Sequence, residues 1–345
     1  MKHALATSLI ALSLVFGSDT AAFAETMLPG YDKMRIEAPH RGQSIDASIW
    51  YPAGRKTYKG LVGDNPVFRG TEALIGGAPA DGRYPLILLS HGSGGNMDTI
   101  GWLSAGLVKA GFMVLAVNHP GSTSGDSSPR RSIRLWERAP DLTAALDAFL
   151  AGDPLARLVD TDRIIATGFS LGGVTALHLG GLRTDKQAYA GYCDMHGNAA
   201  QDCLFFAKGG VDIAALPRDK FNADLTDPRI SAVVAIEPGM SYAFDQESMA
   251  ANRLPVLLIN FGERATRWPT ADMSPLGSDF AARLTGADYV EIAPGSHYTF
   301  LAECKPGARQ LLEQEGEDPI CDDPEGTDRA DVHKHVIAAI ANFLE

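Results

Sequence analysis

The amino-acid sequence predicts an α/β protein in which a mostly parallel central sheet is flanked by helices. Short apolar segments alternate with longer helical patterns along the chain, as expected for parallel strands joined by crossover helices. Most of these apolar segments are continuous, which is typical of strands covered on both faces. The chain has 345 residues, of which 45% are hydrophobic and 21% charged, enough for one large domain with a full core.

The strands and helices can be assigned in chain order. Residues 45–51 are predicted to form an edge strand, and central strands are predicted at 86–89, 113–117, 164–167, 233–236, 256–259 and 289–292. Helices are predicted at 102–110, 141–150, 172–179, 279–284 and 332–344. No internal repeat or low-complexity tract interrupts this pattern, so residues 25–345 are predicted to form a single domain.

Two segments break the alternation. Residues 184–228 are far longer than an ordinary crossover loop, and they are predicted to form a lid-like insertion after the helix that follows Ser170. Residues 303–329 are polar and acidic and are predicted to form a stapled surface loop.

The N-terminus has the pattern of a secretory signal peptide over residues 1–24. Lys2 and His3 precede an apolar stretch too short to span a bilayer, and Ala22-Phe23-Ala24 provides a small-x-small cleavage site. We therefore expect a periplasmic or secreted protein without a membrane anchor.

Export also accounts for the four cysteines, because disulfides persist in oxidising compartments. Of the three possible pairings we favour the two short-range ones, Cys193–Cys203 and Cys304–Cys321. A metal site is a weaker interpretation because none of these cysteines has a C-x-x-C partner.

The formal net charge of −12 repels phosphate backbones and anionic membrane surfaces. We therefore expect no nucleic acid as partner, and the motifs described next predict a small-molecule partner instead. No feature of the sequence specifies an oligomeric state.

The sharpest functional signal is Gly168-Phe169-Ser170-Leu171-Gly172-Gly173, which lies between a predicted strand and a predicted helix. A strand-to-helix turn this tight needs small flanking residues and exposes the serine hydroxyl above the sheet. This context favours a nucleophile over an ordinary glycine-rich helix start, so Ser170 is the predicted nucleophile.

A serine hydroxyl needs an imidazole to accept its proton. Where the serine lies in a strand-to-helix turn of this kind, the histidine comes after it, late in the chain. His297 fits because its loop comes directly after the last predicted strand. The remaining histidines are weaker candidates. His333 and His335 are expected on the surface, His178 is expected to be packed or solvated, and His91 and His119 are candidates to line the site.

The segment from Ser90 to Asn96 resembles the H-G-G-G type of turn, which supplies one oxyanion-hole amide. The second amide comes from the residue after the nucleophile. We therefore expect the backbone N–H groups of Ser93 and Leu171 to bind an oxyanion.

The acidic partner of His297 must follow one of the last two strands before it. Glu237 ends a strongly apolar strand and precedes a Pro-Gly turn, whereas Glu263 lies beside Arg264 and suits a surface ion pair. We favour Glu237, with Glu263 as the alternative and Asp272 third.

Several ordered motifs make the chain resemble a known group. They are His91-Gly92-Ser93-Gly94-Gly95, Asn118-His119-Pro120-Gly121, Trp136-Glu137-Arg138, the Ser170 segment, Ala235-Ile236-Glu237-Pro238 and Gly295-Ser296-His297. The chain resembles the secreted bacterial α/β-hydrolases of the predicted dienelactone hydrolase group, which are similar to platelet-activating-factor acetylhydrolase and to cutinase-like polyester hydrolases. The resemblance implies an α/β-hydrolase fold, and it places the acid of the acetylhydrolase-like branch at Glu237, although that position is usually Asp.

True dienelactone hydrolases use a cysteine nucleophile, whereas the corresponding residue here is Ser170. The leading hypothesis is therefore a serine carboxylic ester hydrolase that acts on small or short-chain esters, including aromatic or polyester-type ones, and requires no cofactor or metal. The alternatives are an amidase or acyltransferase with the same residues, or a catalytically inactive binding module.

Overall fold

The computed structural model describes residues 28–345, so the predicted signal peptide lies outside the described residues. The strands are β1 (Leu28–Ala38), β2 (Gln43–Ala53), β3 (Lys59–Val62), β4 (Thr71–Ile75), β5 (Tyr84–Ser90), β6 (Met113–Val117), β7 (Ser122–Thr123), β8 (Asp126–Ser127), β9 (Val159–Phe169), β10 (Ile230–Ile236), β11 (Val256–Phe261) and β12 (Ala287–Ile292). The helices are α1 (Gly101–Lys109), α2 (Pro129–Ser132), α3 (Arg138–Gly152), α4 (Leu171–Leu179), α5 (Lys186–His196), α6 (Gln201–Lys208), α7 (Arg218–Phe221), α8 (Gln246–Ala251), α9 (Phe280–Arg283), α10 (Ala308–Glu315) and α11 (Arg329–Leu344).

Most of the strands form one 10-stranded sheet in the order β12-β11-β10-β9-β5-β6-β2-β1-β4-β3. Neighbouring strands from β12 to β6 in this order are all parallel. The β2 strand runs antiparallel to both β6 and β1. The predicted α/β fold with a mostly parallel sheet is therefore confirmed, and the five predicted helices correspond to α1, α3, α4, α9 and α11.

A hydrophobic core lies on each face of the sheet, because successive side chains of a strand point to opposite sides. In β5, Leu86 and Leu88 pack in the core beneath α3 and α4, while Ile87 and Leu89 pack in the core beneath α1 and α11. All four side chains are fully buried. This double coverage explains why the central strands are continuous apolar segments.

Two predictions about the sheet edges are wrong. Residues 45–51 belong to β2, which lies between β1 and β6 instead of at an edge. The covering strand β1 was not recognisable as a long apolar segment, because exposed residues such as Lys33 and Arg35 alternate with more buried ones along it. Residues 289–292, expected at the centre, belong to β12, which is an edge strand.

The insertion at 184–228 contains three helices, α5, α6 and α7. A disulfide between Cys193 and Cys203 joins α5 to α6, with the two Cα atoms 5.8 Å apart. The other segment, 303–329, contains α10 and is closed by Cys304–Cys321. Both predicted disulfides are thus confirmed, while the second segment is partly helical instead of a simple loop.

None of the helices within residues 28–345 combines the length and the apolar composition that crossing a membrane requires.

Replacing Cys304 and Cys321 together by serine should lower the free energy of unfolding by roughly 3 kcal/mol, because the crosslink restricts the unfolded chain. Urea unfolding of the oxidised protein measures this loss. The Cys193→Ser/Cys203→Ser variant is the matched comparison, and its sequence separation of 10 against 17 predicts a slightly smaller loss. Unchanged unfolding midpoints in both variants would contradict the prediction.

Candidate active site

Ser170 lies in the turn between β9 and α4, at the carboxyl end of a central strand. Its backbone has φ 54° and ψ −121°, a conformation that residues with a side chain rarely adopt. The turn depends on its glycines. A Cβ at Gly168 would collide with the carbonyl oxygen of Gly172, and a Cβ at Gly172 would collide with the carbonyl oxygen of Ser90. The expected tight strand-to-helix turn is therefore present, with Ser170 at its apex.

His297 begins a 3₁₀ turn that follows β12. The turn is capped at its start because the Ser296 N–H donates to Thr299 Oγ1 at 2.9 Å. The imidazole is buried, and its Nε2 atom lies 3.1 Å from Ser170 Oγ. The structure thus brings together two residues that are far apart in the sequence.

Glu237 follows β10 and extends this chain of hydrogen bonds. Its Oε2 accepts a hydrogen bond from His297 Nδ1 at 3.0 Å. Its Oε1 accepts hydrogen bonds from the Phe261 N–H and from Asn260 Nδ2, both at 2.6 Å. Because a carboxylate only accepts, the proton of the neutral imidazole lies on Nδ1, and Nε2 is left to accept from Ser170.

The other two acidic candidates lie elsewhere. Glu263 is exposed and precedes a 3₁₀ turn on the surface. Asp272 is buried, but its carboxylate lies 3.5 Å from Arg267 and accepts from the Ser274 N–H. Among the described residues neither carboxylate contacts His297.

Asn260 is a site residue that the sequence analysis missed. Its amide group donates to Glu237 and to the Ala271 carbonyl oxygen, at 2.6 and 2.8 Å. Its Oδ1 accepts from the Met273 N–H and from the Tyr289 hydroxyl, at 3.0 Å each. Asn260 therefore fixes the Glu237 carboxylate. The sequence feature that could have revealed Asn260 is its position as a polar residue near the end of the otherwise apolar strand β11.

Both segments with predicted oxyanion amides border Ser170. A Cβ built at Gly92 would lie 3.2 Å from Ser170 Cβ, and Ser93 follows with an exposed side chain. Leu171 is the first residue of α4, a position whose N–H has no carbonyl partner within the helix. Both segments thus lie beside Ser170 at the carboxyl end of β9.

Aromatic side chains pack around the His297 imidazole. Trp268 stacks on it with ring centroids 4.5 Å apart, and Phe169 contacts it at 4.7 Å. Phe169 also stacks on Phe300 at 4.1 Å, and Tyr298 contacts Trp268 edge-on at 5.2 Å. These contacts hold the ring in place and keep its bond to the buried carboxylate away from water.

The 184–228 insertion is tied to the loop that contains Trp268. Asp202 of α6 accepts hydrogen bonds from the hydroxyls of Tyr189, Tyr192 and Thr270, at 2.9, 3.1 and 2.9 Å. Both tyrosines are fully buried. The Thr270 bond joins the insertion to that loop, while the two tyrosine bonds and the Cys193–Cys203 disulfide hold α5 and α6 together within it.

His91 and His119, which were candidates to line the site, are fully buried behind it. His119 Nδ1 lies 2.8 Å from Asp141, and its Nε2 lies 2.8 Å from Ser90 Oγ. Ser90, His119 and Asp141 thus form a second Ser-His-Asp arrangement, but all three are 0% exposed and no substrate reaches Ser90. Burial and the Arg138 cation lower the pKa of His119 to about 3, so the ring is neutral at pH 7.

His333 is not on the surface as expected. Its ring stacks on Trp102 with centroids 3.6 Å apart, and its Nε2 lies 3.1 Å from the carbonyl oxygens of Thr299 and Leu301. The residue is buried because α11 packs against α1 and against the turn that begins at His297. This burial lowers the pKa of His333 to about 4. His335 is exposed, as expected.

Within residues 28–345, no three side chains of His, Cys, Asp or Glu are arranged to hold a metal ion.

The fold and the Ser-His-Glu chain at the carboxyl edge of the sheet are features of hydrolases built on a parallel sheet. A family model described as the Alpha/beta hydrolase family matches residues 86–333, which is more than half of the chain. The protein belongs to this alpha/beta hydrolase family.

Solved structures provide a second comparison. The chain is similar to a ferulic acid esterase from Streptomyces cinnamoneus, with a TM-score of 0.59 and 19% identity over 92% of this chain and 89% of that one. It is also similar to an acylaminoacyl peptidase from Pyrococcus horikoshii, with a TM-score of 0.46 and 13% identity over 91% of this chain and 45% of that one. At 19% identity, the similarity to the ferulic acid esterase shows a shared fold and no more. Among curated proteins, no sequence matches this chain significantly.

His178 provides a pH prediction. It is buried in α4, and neither ring nitrogen has a hydrogen-bond partner among the described residues. Burial lowers its pKa from 6.5 to about 4 in the folded protein. Between these values the unfolded chain binds a proton that the folded protein does not, so this histidine makes stability fall as the pH falls.

The His178→Leu variant should therefore lose less stability than the wild type between pH 6 and pH 4.5. One proton corresponds to a slope of about 1.4 kcal/mol per pH unit. Urea unfolding at several pH values measures the slope, and the exposed His335→Leu serves as the control. Identical slopes for the His178 variant and the wild type would count against the prediction.

Proposed function

We propose that this protein is an exported serine hydrolase that cleaves carboxylic esters through an acyl-enzyme. The observation that supports this most directly is the unbroken chain of hydrogen bonds from Ser170 through His297 to Glu237. Its members come from three different loops at the carboxyl ends of β9, β10 and β12. The same order of groups activates a serine in unrelated hydrolase folds.

In the first step Ser170 Oγ attacks the ester carbonyl carbon while its proton passes to His297 Nε2. The carbonyl oxygen becomes an oxyanion, which the N–H groups of Ser93 and Leu171 stabilise. Glu237 stabilises the imidazolium that forms, and Asn260 and the Phe261 N–H hold the carboxylate in place. The imidazolium then gives its proton to the departing alcohol, leaving an acyl group on Ser170.

In the second step a water molecule attacks the acyl carbon and gives one proton to His297 Nε2. The oxyanion forms again between the same two amides, and its collapse breaks the bond to Ser170 Oγ. The imidazolium returns a proton to the serine oxygen. The products are a carboxylic acid and the original enzyme, so the cycle balances without a cofactor.

The surroundings of the site support small or short-chain substrates over bulk lipid. The insertion is bonded to the loop that contains Trp268 through Thr270 and Asp202, and its helices α5 and α6 are crosslinked by Cys193–Cys203; both features favour a fixed wall over a lid that opens at a lipid surface. Trp268 and Tyr298 place aromatic surface beside His297 and favour esters with flat or aromatic groups.

The Streptomyces cinnamoneus protein is a ferulic acid esterase, but its likeness to this chain concerns the fold, so the ester assignment rests on the site. The resemblance to the secreted dienelactone hydrolase group is consistent with a serine-based esterase.

Amide hydrolysis and acyl transfer would use the same residues, whereas an inactive binding module would have no need for the strained backbone at Ser170. The two disulfides support a periplasmic or secreted location.

The first test is hydrolysis of p-nitrophenyl butyrate by the oxidised protein. Ser170→Ala should reduce turnover by about 10⁴-fold or more, because the nucleophile is lost. A fluorophosphonate probe should label the wild type and not the variant. A wild-type protein that neither hydrolyses the ester nor reacts with the probe would refute the proposed function. Activity that rises sharply on emulsified long-chain lipid would refute the preference for short substrates.

The second test concerns the acid. Glu237→Gln should lower kcat on the order of 10³- to 10⁴-fold at neutral pH, because an amide NH₂ facing Nδ1 favours the wrong imidazole tautomer and cannot stabilise the imidazolium. Glu263→Gln is the matched control, and it should keep wild-type kcat because Glu263 is exposed and does not touch His297. A larger loss in Glu263→Gln than in Glu237→Gln would reverse the assignment.

A further inference from the structure

Arg138, the first residue of α3, is a fully buried cation near the candidate site. The residue is only 2% exposed. Its guanidinium donates to the hydroxyls of Thr175 and Ser90, at 2.9 and 3.2 Å, to the Ser122 hydroxyl and to the carbonyl oxygen of His91. All four acceptors are neutral, and within residues 28–345 the guanidinium forms no ion pair with a carboxylate.

Stability alone does not explain this arrangement. A buried charge is costly unless a counter-charge or well-placed hydrogen bonds compensate it, and apolar side chains of similar volume are often as stabilising or more so. The nearby acid Asp141 is already engaged by Arg41, at 2.6 and 2.8 Å, and by His40 and His119. Arg138 thus donates all of these hydrogen bonds to loops and helices that surround the candidate nucleophile.

The first of these connections leads to the turn that contains Ser93. Arg138 holds the His91 carbonyl oxygen, and the His91 ring accepts from the His119 N–H at 3.2 Å through Nε2. That contact leaves the ring proton on Nδ1, which donates to the Gly92 carbonyl oxygen at 2.7 Å. In a trans peptide the C=O and the N–H point in opposite directions, so this bond directs the Ser93 N–H away from His91.

The second connection leads to Leu171. The Thr175 hydroxyl accepts from Arg138 Nε and donates to the Leu171 carbonyl oxygen at 3.1 Å. Thr175 lies one turn further along α4, so this bond fixes the first turn of the helix at Leu171. A single guanidinium therefore connects the two segments that contain the proposed oxyanion amides.

We propose that Arg138 is a positioning residue that sets the distance between the Ser93 and Leu171 amides. This inference rests on the proposed function, because it assigns both amides to the oxyanion. The Arg138 side chain touches no substrate and acts only through His91 and Thr175. Its loss should weaken binding of the tetrahedral transition state and leave binding of the planar ester nearly unchanged.

The main test compares Thr175→Val with Thr175→Ser. Valine matches threonine in shape but removes the hydroxyl that joins Arg138 to the Leu171 carbonyl, whereas serine keeps it. With p-nitrophenyl butyrate, Thr175→Val should lower kcat by about tenfold with KM within about twofold of wild type, and Thr175→Ser should recover most of the loss. Arg138→Lys, which cannot reach both segments, should lower kcat by about 100-fold.

A boronic acid that forms a tetrahedral adduct with Ser170 provides a readout that a merely structural role does not affect. Its inhibition constant should rise by the same factor as kcat falls, with kcat expressed per active site counted by fluorophosphonate titration. Arg229→Lys is the control. Arg229 lies just before β10, at the amino end of that strand and away from Ser170, where it pairs with Asp227 and with Asp147 of α3, so its variant should keep wild-type kcat and boronate affinity.

The outcomes separate the two proposals. Wild-type kcat and boronate affinity in Thr175→Val would overturn the role of Arg138 while leaving the esterase intact, and this holds even where Arg138→Lys fails to fold. A fall in kcat per active site with an unchanged inhibition constant for the boronic acid would also overturn it. A wild-type protein without ester hydrolysis or fluorophosphonate labelling would overturn the proposed function, and the inference with it.

Discussion

The site depends on main-chain hydrogen bonds that continue past the carboxyl ends of the parallel strands. The Ser170 N–H donates to the Ile236 carbonyl oxygen at 2.9 Å, and the Glu237 N–H donates to that of Ile259 at 2.8 Å. One strand further, the Gly262 N–H donates to the Ile292 carbonyl oxygen at 2.9 Å. Each turn is thereby anchored to the end of the next strand, so the spacing of the sheet sets the spacing of nucleophile, acid and histidine loop.

This anchoring holds the backbone of the site in an unfavourable conformation. Ser170 and Glu237 both have positive φ, and such residues cost of order 1–3 kcal/mol each unless their surroundings hold them. Here the surroundings are rigid, because β9 and β10 lie at the centre of a sheet with a packed core on each face. The strained backbone at Ser170 and Glu237 and the buried charge of Arg138 both lie near the carboxyl ends of the parallel strands. A structural role alone explains neither of them.

The sequence predicted the parts of the fold and site that local patterns specify. Continuous apolar strands indicated a sheet covered on both faces, and the small residues around Ser170 indicated a tight turn. The edges of the sheet were mistaken because pairing is non-local. Nothing in residues 45–51 shows that a partly charged strand, β1, covers them, and nothing in residues 289–292 shows that no further strand follows beside them.

The choice of the acidic residue could not be made from the sequence for a different reason. Glu237 and Glu263 both follow apolar strands, and a linear sequence does not reveal which turn faces the histidine. The distinction comes from Asn260 and the Phe261 N–H, which converge on one carboxylate oxygen of Glu237 and leave the other for His297. Such convergence depends on side chains from neighbouring strands, so the polar residues that orient a site are harder to predict than those that react. The buried network around Arg138 follows the same rule, since its acceptors come from the end of β5, from β7 and from α4.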